Sequence, residues 1–240
     1  MADKRVVFFF DIDNCLYPKS KRVHDLMSDL IDKYFETHLS LSRDEANELH
    51  QRYYKEYGLA IEGLVRHHKV DPLEYNRVVD DALPLEDILE PNPKLRKLIE
   101  DLDKTKVKPW LFTNAYVSHG KRVVKLLGID DLFEGITYCD YGAEQLLCKP
   151  APKMFQKAMR EAGVESEKDC YFVDDSAINI KGATSLGWTA VQYLEPEVKA
   201  PEPPVSEYKV SDLEQLRGLF PHLFVSTASN GSNGNTNGVH

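Results

Sequence analysis

The sequence predicts an α/β protein: a mainly parallel sheet covered on both faces, with a small all-helical unit inserted after the first strand. Three observations predict it. An unbroken apolar run, Val6-Val-Phe-Phe-Phe10, has strand length; a helix-periodic stretch over residues 21–83 follows it; and short apolar runs then alternate with helical patterns.

The first run ends in Asp11-Ile-Asp13, two carboxylates spaced i, i+2. On a regular strand they point the same way, and the carboxyl end of a parallel strand is where open α/β sheets bind ligands. Like charges this close repel, so the pair calls for a cation or a shared proton, and oxygen-only ligands favour Mg²⁺. A solvated turn at the strand end is the alternative, because Asp and Asn are common turn formers.

In the helical stretch, Ser42-Arg-Asp-Glu45 has capping-box spacing, and Leu49, Tyr53 and Tyr57 then recur every fourth residue. Asp71-Pro72 supplies an N-cap and a first-turn proline for a helix carrying Leu73, Asn76, Val79 and Leu83. Pro84, Pro91 and Pro93 punctuate the return to the sheet. Helices are expected over 92–103, 116–127, 152–162, 177–186 and 211–219, and strands over 107–113, 135–139, 170–173 and 188–193. Gly128, Gly163 and Gly187 stand where three of these helices should close. Residues 195–207, with four prolines, are too proline-rich for a regular element. The expected organisation is a core from 1–19 and 84–225, a helical cap over 20–83 and a low-complexity, disordered tail over 226–240.

Three more strand ends carry chemistry. Thr113 and Asn114 end the second strand with a hydroxyl that can donate to a phosphate oxygen and an amide that can orient it, or else form the N-cap of the next helix. Lys149 precedes Pro150, which holds it out of the following helix; its ammonium either meets the aspartates and a phosphate or is an ordinary surface charge. Asp174-Asp175-Ser176 ends a later strand, and the two acids share a metal only if the strand has already turned there. Asn179 falls near the first turn of the helix behind them.

A formal charge of −9 over 240 residues excludes a nucleic-acid polymer as the expected partner, which would need a basic surface. No segment approaches the ~18 apolar residues of a membrane span. Met1-Ala-Asp-Lys-Arg5 runs straight into the first strand without a signal-peptide pattern, so a cytoplasmic location is expected, with the nucleus also open. Cys15, Cys139, Cys148 and Cys170 lack C-x-x-C spacing, which argues for reduced thiols rather than zinc.

The four strand ends in this order resemble the haloacid dehalogenase superfamily of phosphohydrolases over roughly residues 5–193. The resemblance is closer to fungal pyrimidine 5′-nucleotidases, through Phe8-Phe-Phe-Asp-Ile-Asp-Asn-Cys-Leu-Tyr17, Tyr53-Tyr-Lys-Glu-Tyr-Gly58, Leu111-Phe-Thr-Asn114, Gly135-Ile-Thr-Tyr-Cys139 and Cys148-Lys-Pro150. It implies a Rossmann-like core with a cap, Asp11 as nucleophile and Asp13 as general acid/base. It further implies that Thr113, Asn114 and Lys149 serve the phosphoryl group, and that Mg²⁺ is held by Asp11, the main-chain carbonyl of Asp13 and the acidic pair. Asp174 stands where glycine is common and Asn179 where a second acid is common, so Asp175 is the expected direct ligand, with Asp174 and Asn179 either direct or one step removed.

The expected reaction is hydrolysis of a small phosphate monoester, UMP or CMP foremost, through an aspartyl-phosphate, with Asp13 entering as the neutral acid. Purine nucleotides, nicotinamide mononucleotide, lysophosphatidate and sugar phosphates are alternative substrates, a phosphomutase retains every motif, and a nucleotide-binding module without chemistry is a remoter reading. A dehalogenase does not need Asp13. Tyr57 and Gly58 of the cap are the candidates for contacting the nucleoside, Tyr57 by stacking unless it belongs to the cap's core; His67 and His68 are expected to face solvent.

Overall fold

Along the first strand, side chains alternate between two cores. Val7 and Phe9 pack with Phe112, Phe155, Phe172 and Trp188, while Phe8 and Phe10 face Leu98, Val123, Val173 and Phe220 on the other side. Phe9 stacks on Trp188 with ring centroids 4.8 Å apart. A strand buried on both faces has to sit centrally in its sheet, and this one does. In the computed structural model, which describes residues 3–196 and 198–226, six parallel strands form one sheet. They are β1 (Val6–Phe10), β2 (Val107–Phe112), β3 (Ile136–Thr137), β4 (Cys170–Asp174), β5 (Thr189–Tyr193) and β6 (Tyr208–Val210), in spatial order β3-β2-β1-β4-β5-β6. The fold is α/β and Rossmann-like. Residues 227–240, where the sequence predicts a disordered tail, lie outside the described residues.

Four helices follow β1: α1 (Val23–Leu39), α2 (Arg43–Tyr57), α3 (Ala60–His67) and α4 (Pro72–Val78). The Ser42–Glu45 capping box forms reciprocally at the start of α2, and Asp71 caps α4 by accepting from the amides of Leu73 and Glu74. The helices gather around Phe35, Tyr53, Leu64 and Tyr75, and this cluster takes in Tyr141, Leu146 and Cys148 from the loop behind β3. The helical layer is therefore packed onto the sheet's loops rather than standing apart from them. Gly63 lets α3 lie against α2, since a Cβ there would fall 2.1 Å from the Tyr53 ring.

The structure departs from the sequence expectation at four places. The helix after Asp71 stops at Val78, where Asp81 folds back to Asn76 through both backbone and side chain, so Leu83 packs in the sheet's core instead. The strand expected over 135–139 pairs only through Ile136–Thr137. The strand β6 was not expected: three residues behind a proline-rich stretch are too few to show a period, yet they pair with β5. The helix expected over 211–219 is a 3₁₀ turn at Leu213–Gln215 followed by a short helix at Leu216–Leu219. On the sheet's two faces lie α5 (Pro93–Glu100), α6 (Val117–Leu126), α7 (Pro152–Ala162) and α8 (Ala177–Ser185).

Candidate active site

Because β1 is central, the ends of β2 and β4 flank its own, and the predicted residues converge there. Parallel pairing continues one residue past β1, where the Asp11 amide donates to the Val173 carbonyl at 3.0 Å. The chain then turns tightly, with Asn14 in the left-handed region at φ 59° and the amides of Cys15 and Leu16 donating to the Ile12 carbonyl. This turn brings Asp11 and Asp13 to one cavity while Ile12 points into the core.

Lys149 is fully buried, not a surface charge. Its Nζ lies 2.7 Å from each of Asp11 Oδ1, Asp174 Oδ2 and the Phe112 carbonyl, which uses all three of its hydrogens. Burial alone would lower its proton affinity, but the two carboxylates outweigh that and raise it, so the ammonium is retained. Asn114 holds this lysine from behind. Its Oδ1 accepts from the Lys149 amide at 2.7 Å and its Nδ2 donates to the Lys149 carbonyl at 2.9 Å. Asn114 therefore positions the lysine, a role the sequence reading lacks, and it also lines the cavity. Thr113 accepts from the Ala115 amide at 2.9 Å, which leaves its hydroxyl hydrogen available to the cavity it lines, and neither residue caps α6.

At the end of β4 the strand does turn, as metal sharing requires. Asp174 Oδ1 accepts from the Ser176 amide at 2.7 Å, and both of its carboxylate oxygens accept from Asn179 Nδ2. One carboxylate oxygen from each of Asp11, Asp174 and Asp175 lies within 4.8 Å of the others. An all-oxygen set of this kind fits a hard divalent cation. Asp174 is already wrapped by Lys149, Ser176 and Asn179, whereas Asp175 faces the cavity and, among the described residues, meets only Lys19 Nζ, at 3.0 Å. Asn179 thus acts on Asp174. Burial, then the charge of Asp174, pushes Asp175 up to about 7, and burial with the neighbouring acids raises Asp11 as well.

Asp13 has partners that sequence reasoning missed. Its Oδ1 accepts from the Tyr17 hydroxyl at 2.6 Å and from Nε2 of the buried His119 at 2.7 Å, while Oδ2 has no partner among the described residues. Burial pushes the Asp13 carboxyl up, but the charge of His119 and these hydrogen bonds outweigh it and hold the group below its usual range. His119 is correspondingly raised: burial opposes its charge, and Asp13 prevails. Asp13 and His119 thus form a buried hydrogen-bonded pair through which a proton can pass, where the sequence reading has Asp13 acting alone. His119 lies 106 residues from Asp13, in the first turn of α6, and the only sequence signal was a histidine on a helix face otherwise made of Gly120, Val123 and Val124.

The cavity, of about 330 Å³, runs from these residues into the helical layer. Tyr57 is not part of it. Its hydroxyl pairs with His67 Nε2 at 2.7 Å and Arg66 lies over its ring, so it belongs with the aromatic packing of α2 and α3. His67 is exposed, as expected, and bonds to the Tyr57 hydroxyl, while His68 is half-buried and bonds to that of Tyr53. One turn earlier, Gln51 and Tyr54 do line the cavity, with His50 beside them. Gly58 lines it too, but as a contact point: it closes α2 at φ 83°, and a Cβ there would meet the Lys149 carbonyl at 2.6 Å.

The arrangement offers a carboxylate nucleophile held by a buried cation, a second carboxylate with a proton partner, and a cation-binding set of oxygens. Comparison with known proteins accords with it. Phosphate metabolism protein 8 of Saccharomyces cerevisiae is 46% identical over 198 residues, 79% of this chain, and this chain spans 62% of that protein's length. Glyceraldehyde 3-phosphate phosphatase of Methanopyrus kandleri is 28% identical over 206 residues, 81% of this chain and 86% of that one. Among solved structures, a HAD phosphatase from Thermococcus onnurineus superposes with a TM-score of 0.59 at 22% identity, covering 92% of this chain and all of that one, a likeness of fold. The family model for haloacid dehalogenase-like hydrolases matches residues 6–187, and the chain belongs to that family.

Proposed function

We propose that the protein is a Mg²⁺-dependent phosphate monoester hydrolase, with pyrimidine 5′-nucleotides as its substrates. The observation that carries this reading is the Asp11 carboxylate: Lys149 fixes one oxygen, and the other, without a partner among the described residues, opens on the cavity that Asp13 and Thr113 also line. Asp11 attacks phosphorus as the ester oxygen departs, forming the acyl phosphate. The leaving oxygen takes a proton from the Asp13–His119 pair, and Asp13 then accepts one from the water that returns Asp11 and releases phosphate. Asp11, Asp175 and the main-chain carbonyl of Asp13 would hold Mg²⁺, which when bound offsets the charge of the phosphoryl oxygens. The nucleotide preference draws on the sequence resemblance and on a cavity whose lining mixes Tyr54 and Tyr75 with Gln51 and His50.

Phosphate release measured across a panel of monophosphates with Mg²⁺ tests this directly. UMP and CMP should lead the panel; equal or better turnover of purine nucleotides or triose phosphates would remove the pyrimidine assignment and leave the phosphatase standing. Replacing His119 by alanine should lower kcat by about 10²-fold with KM little changed, the cost of misplacing a reacting group. Glutamine at this position, which can still donate to Oδ1, should recover part of the loss. Wild-type kcat in the alanine variant would exclude the pair as the proton source.

Metal binding should also be visible without turnover. Mg²⁺ at about 100 times its Kd should stabilise the fold by about 2.7 kcal/mol, roughly 5–10 °C in Tm. Asp11 and Asp175 hold protons more tightly folded than unfolded, so both destabilise the metal-free fold as pH rises and they ionise, Asp175 progressively up to about 7. The Mg²⁺ shift should therefore be full at pH 8 and shrink toward pH 5.5, where protons compete. A shift independent of pH would place the ion elsewhere.

A further inference from the structure

The helical layer carries a second constellation aimed at the same cavity. Asp32, on α1, is 3% exposed and His50, on α2, is 4% exposed. Asp32 Oδ1 accepts from His50 Nδ1 at 2.8 Å, and its Oδ2 accepts from Asn47 Nδ2 at 2.9 Å, one turn before the histidine. Arg43 stands 3.9 Å from the same oxygen. The carboxylate is thus supported as an anion, and it fixes both the orientation of the imidazole and the nitrogen that carries its proton.

A pair that served only to tie α1 to α2 has no need of a free ring nitrogen beside a cavity, and apolar residues could make that tie at less desolvation cost. Here Nε2 has no hydrogen-bond partner among the described residues, and His50 lines the cavity that holds Asp11 and Asp13. We propose that His50 Nε2 receives a hydroxyl of the leaving group, which makes the substrates monophosphates of a hydroxylated carbon skeleton, ribose above all. This rests on the phosphatase reading and deepens it. The hydroxyl follows from the chemistry of the ring: a neutral imidazole held through Nδ1–H offers a lone pair, a protonated one offers N–H, and among common substituents a hydroxyl pairs with both. A carbonyl fits only the protonated ring and an N–H donor only the neutral one.

Kinetics of the full chain on UMP, 2′-deoxy-UMP and 3′-deoxy-UMP, and on ribose 5-phosphate against 2-deoxyribose 5-phosphate, test the assignment. The wild type should favour at least one hydroxyl-bearing substrate over its deoxy counterpart by about tenfold in kcat/KM, the scale of one hydrogen bond. His50→Ala should bring that ratio close to one, mainly by raising KM for the hydroxylated member, and His50→Gln should keep part of it. Melting curves confirm that the variants fold. A hydroxyl preference absent from the wild type, or one that His50→Ala leaves intact, overturns the proposal. Calorimetric binding of UMP and its deoxy forms to Asp11→Asn reads the same ratio without turnover. If no monophosphate is hydrolysed, the phosphatase reading falls while that ratio still decides the role of His50.

Discussion

Replacing Asp11 by asparagine is expected to abolish turnover and at the same time to stabilise the fold. The amide is a poor nucleophile, and losing the group that forms the covalent bond should cost on the order of 10⁴-fold or more in kcat. The gain in stability comes from the same atoms. Burial and the charges of Asp174, Asp175 and Asp13 raise Asp11, with Lys149 opposing, so an ionised Asp11 is less favourable in the fold than in the unfolded chain, where water solvates it. Removing it should add about 1 kcal/mol, or about 2–4 °C in metal-free buffer. The gain should grow with pH, because an acid whose folded pKa is raised weighs most on the fold once it ionises. Residual activity above about 1% of wild type, checked against the rate of amide hydrolysis back to aspartate by mass spectrometry, would point to a different nucleophile.

Lys149→Met should move stability the other way. The methionine fills a similar volume but leaves Asp11 Oδ1, Asp174 Oδ2 and the Phe112 carbonyl converging on a methyl group. Breaking a buried ion pair from one side costs about 3–5 kcal/mol, which corresponds to a fall in Tm of about 10 °C or more. Losing a cation aimed at the phosphoryl site should take about 10²–10³-fold from kcat/KM. Arginine should not restore either quantity, since its planar fork cannot place three donors on this pyramid of oxygens. A Lys149→Met protein melting with the wild type would show that the carboxylates relax by taking up protons at no net cost.

These two residues were legible in the sequence because each is announced by its neighbours. Asp11 follows five apolar residues of strand length, and Lys149 is held out of the next helix by the proline behind it, though each gains its meaning only with the other strand ends. The strand ends at Thr113 and Asp174 were visible for the same reason, and with them most of the sheet. What escaped was held by partners remote in sequence. His119 and the Asp32–His50 pair look like single polar residues on helix faces, and only the crossing of chain segments gives them roles. Tyr57 shows a limit of another kind: the sequence located a cap helix near the site, but which of Tyr53, Tyr54 and Tyr57 meets the cavity depends on how the helix is rotated, and Tyr54 is the one that does. Asn114 was found in the right place, yet its hydrogen-bonded partner, the backbone of Lys149, leaves no trace in a one-dimensional pattern.

The central place of β1 also governs when in folding the site can exist. Its pairing with β2 joins Val6 to Val107, and its pairing with β4 joins Val7 to Cys170, so each contact closes a very long stretch of chain. Contacts of such high order form late and with the bulk of the native structure, since loop-closure entropy opposes them until much else is in place. No nascent chain ending before Cys170 can bring Asp11, Lys149 and Asp174 together. A carboxylate set beside a buried cation is thereby withheld until the two ends of the fold have met in the pairing of β1 with β4.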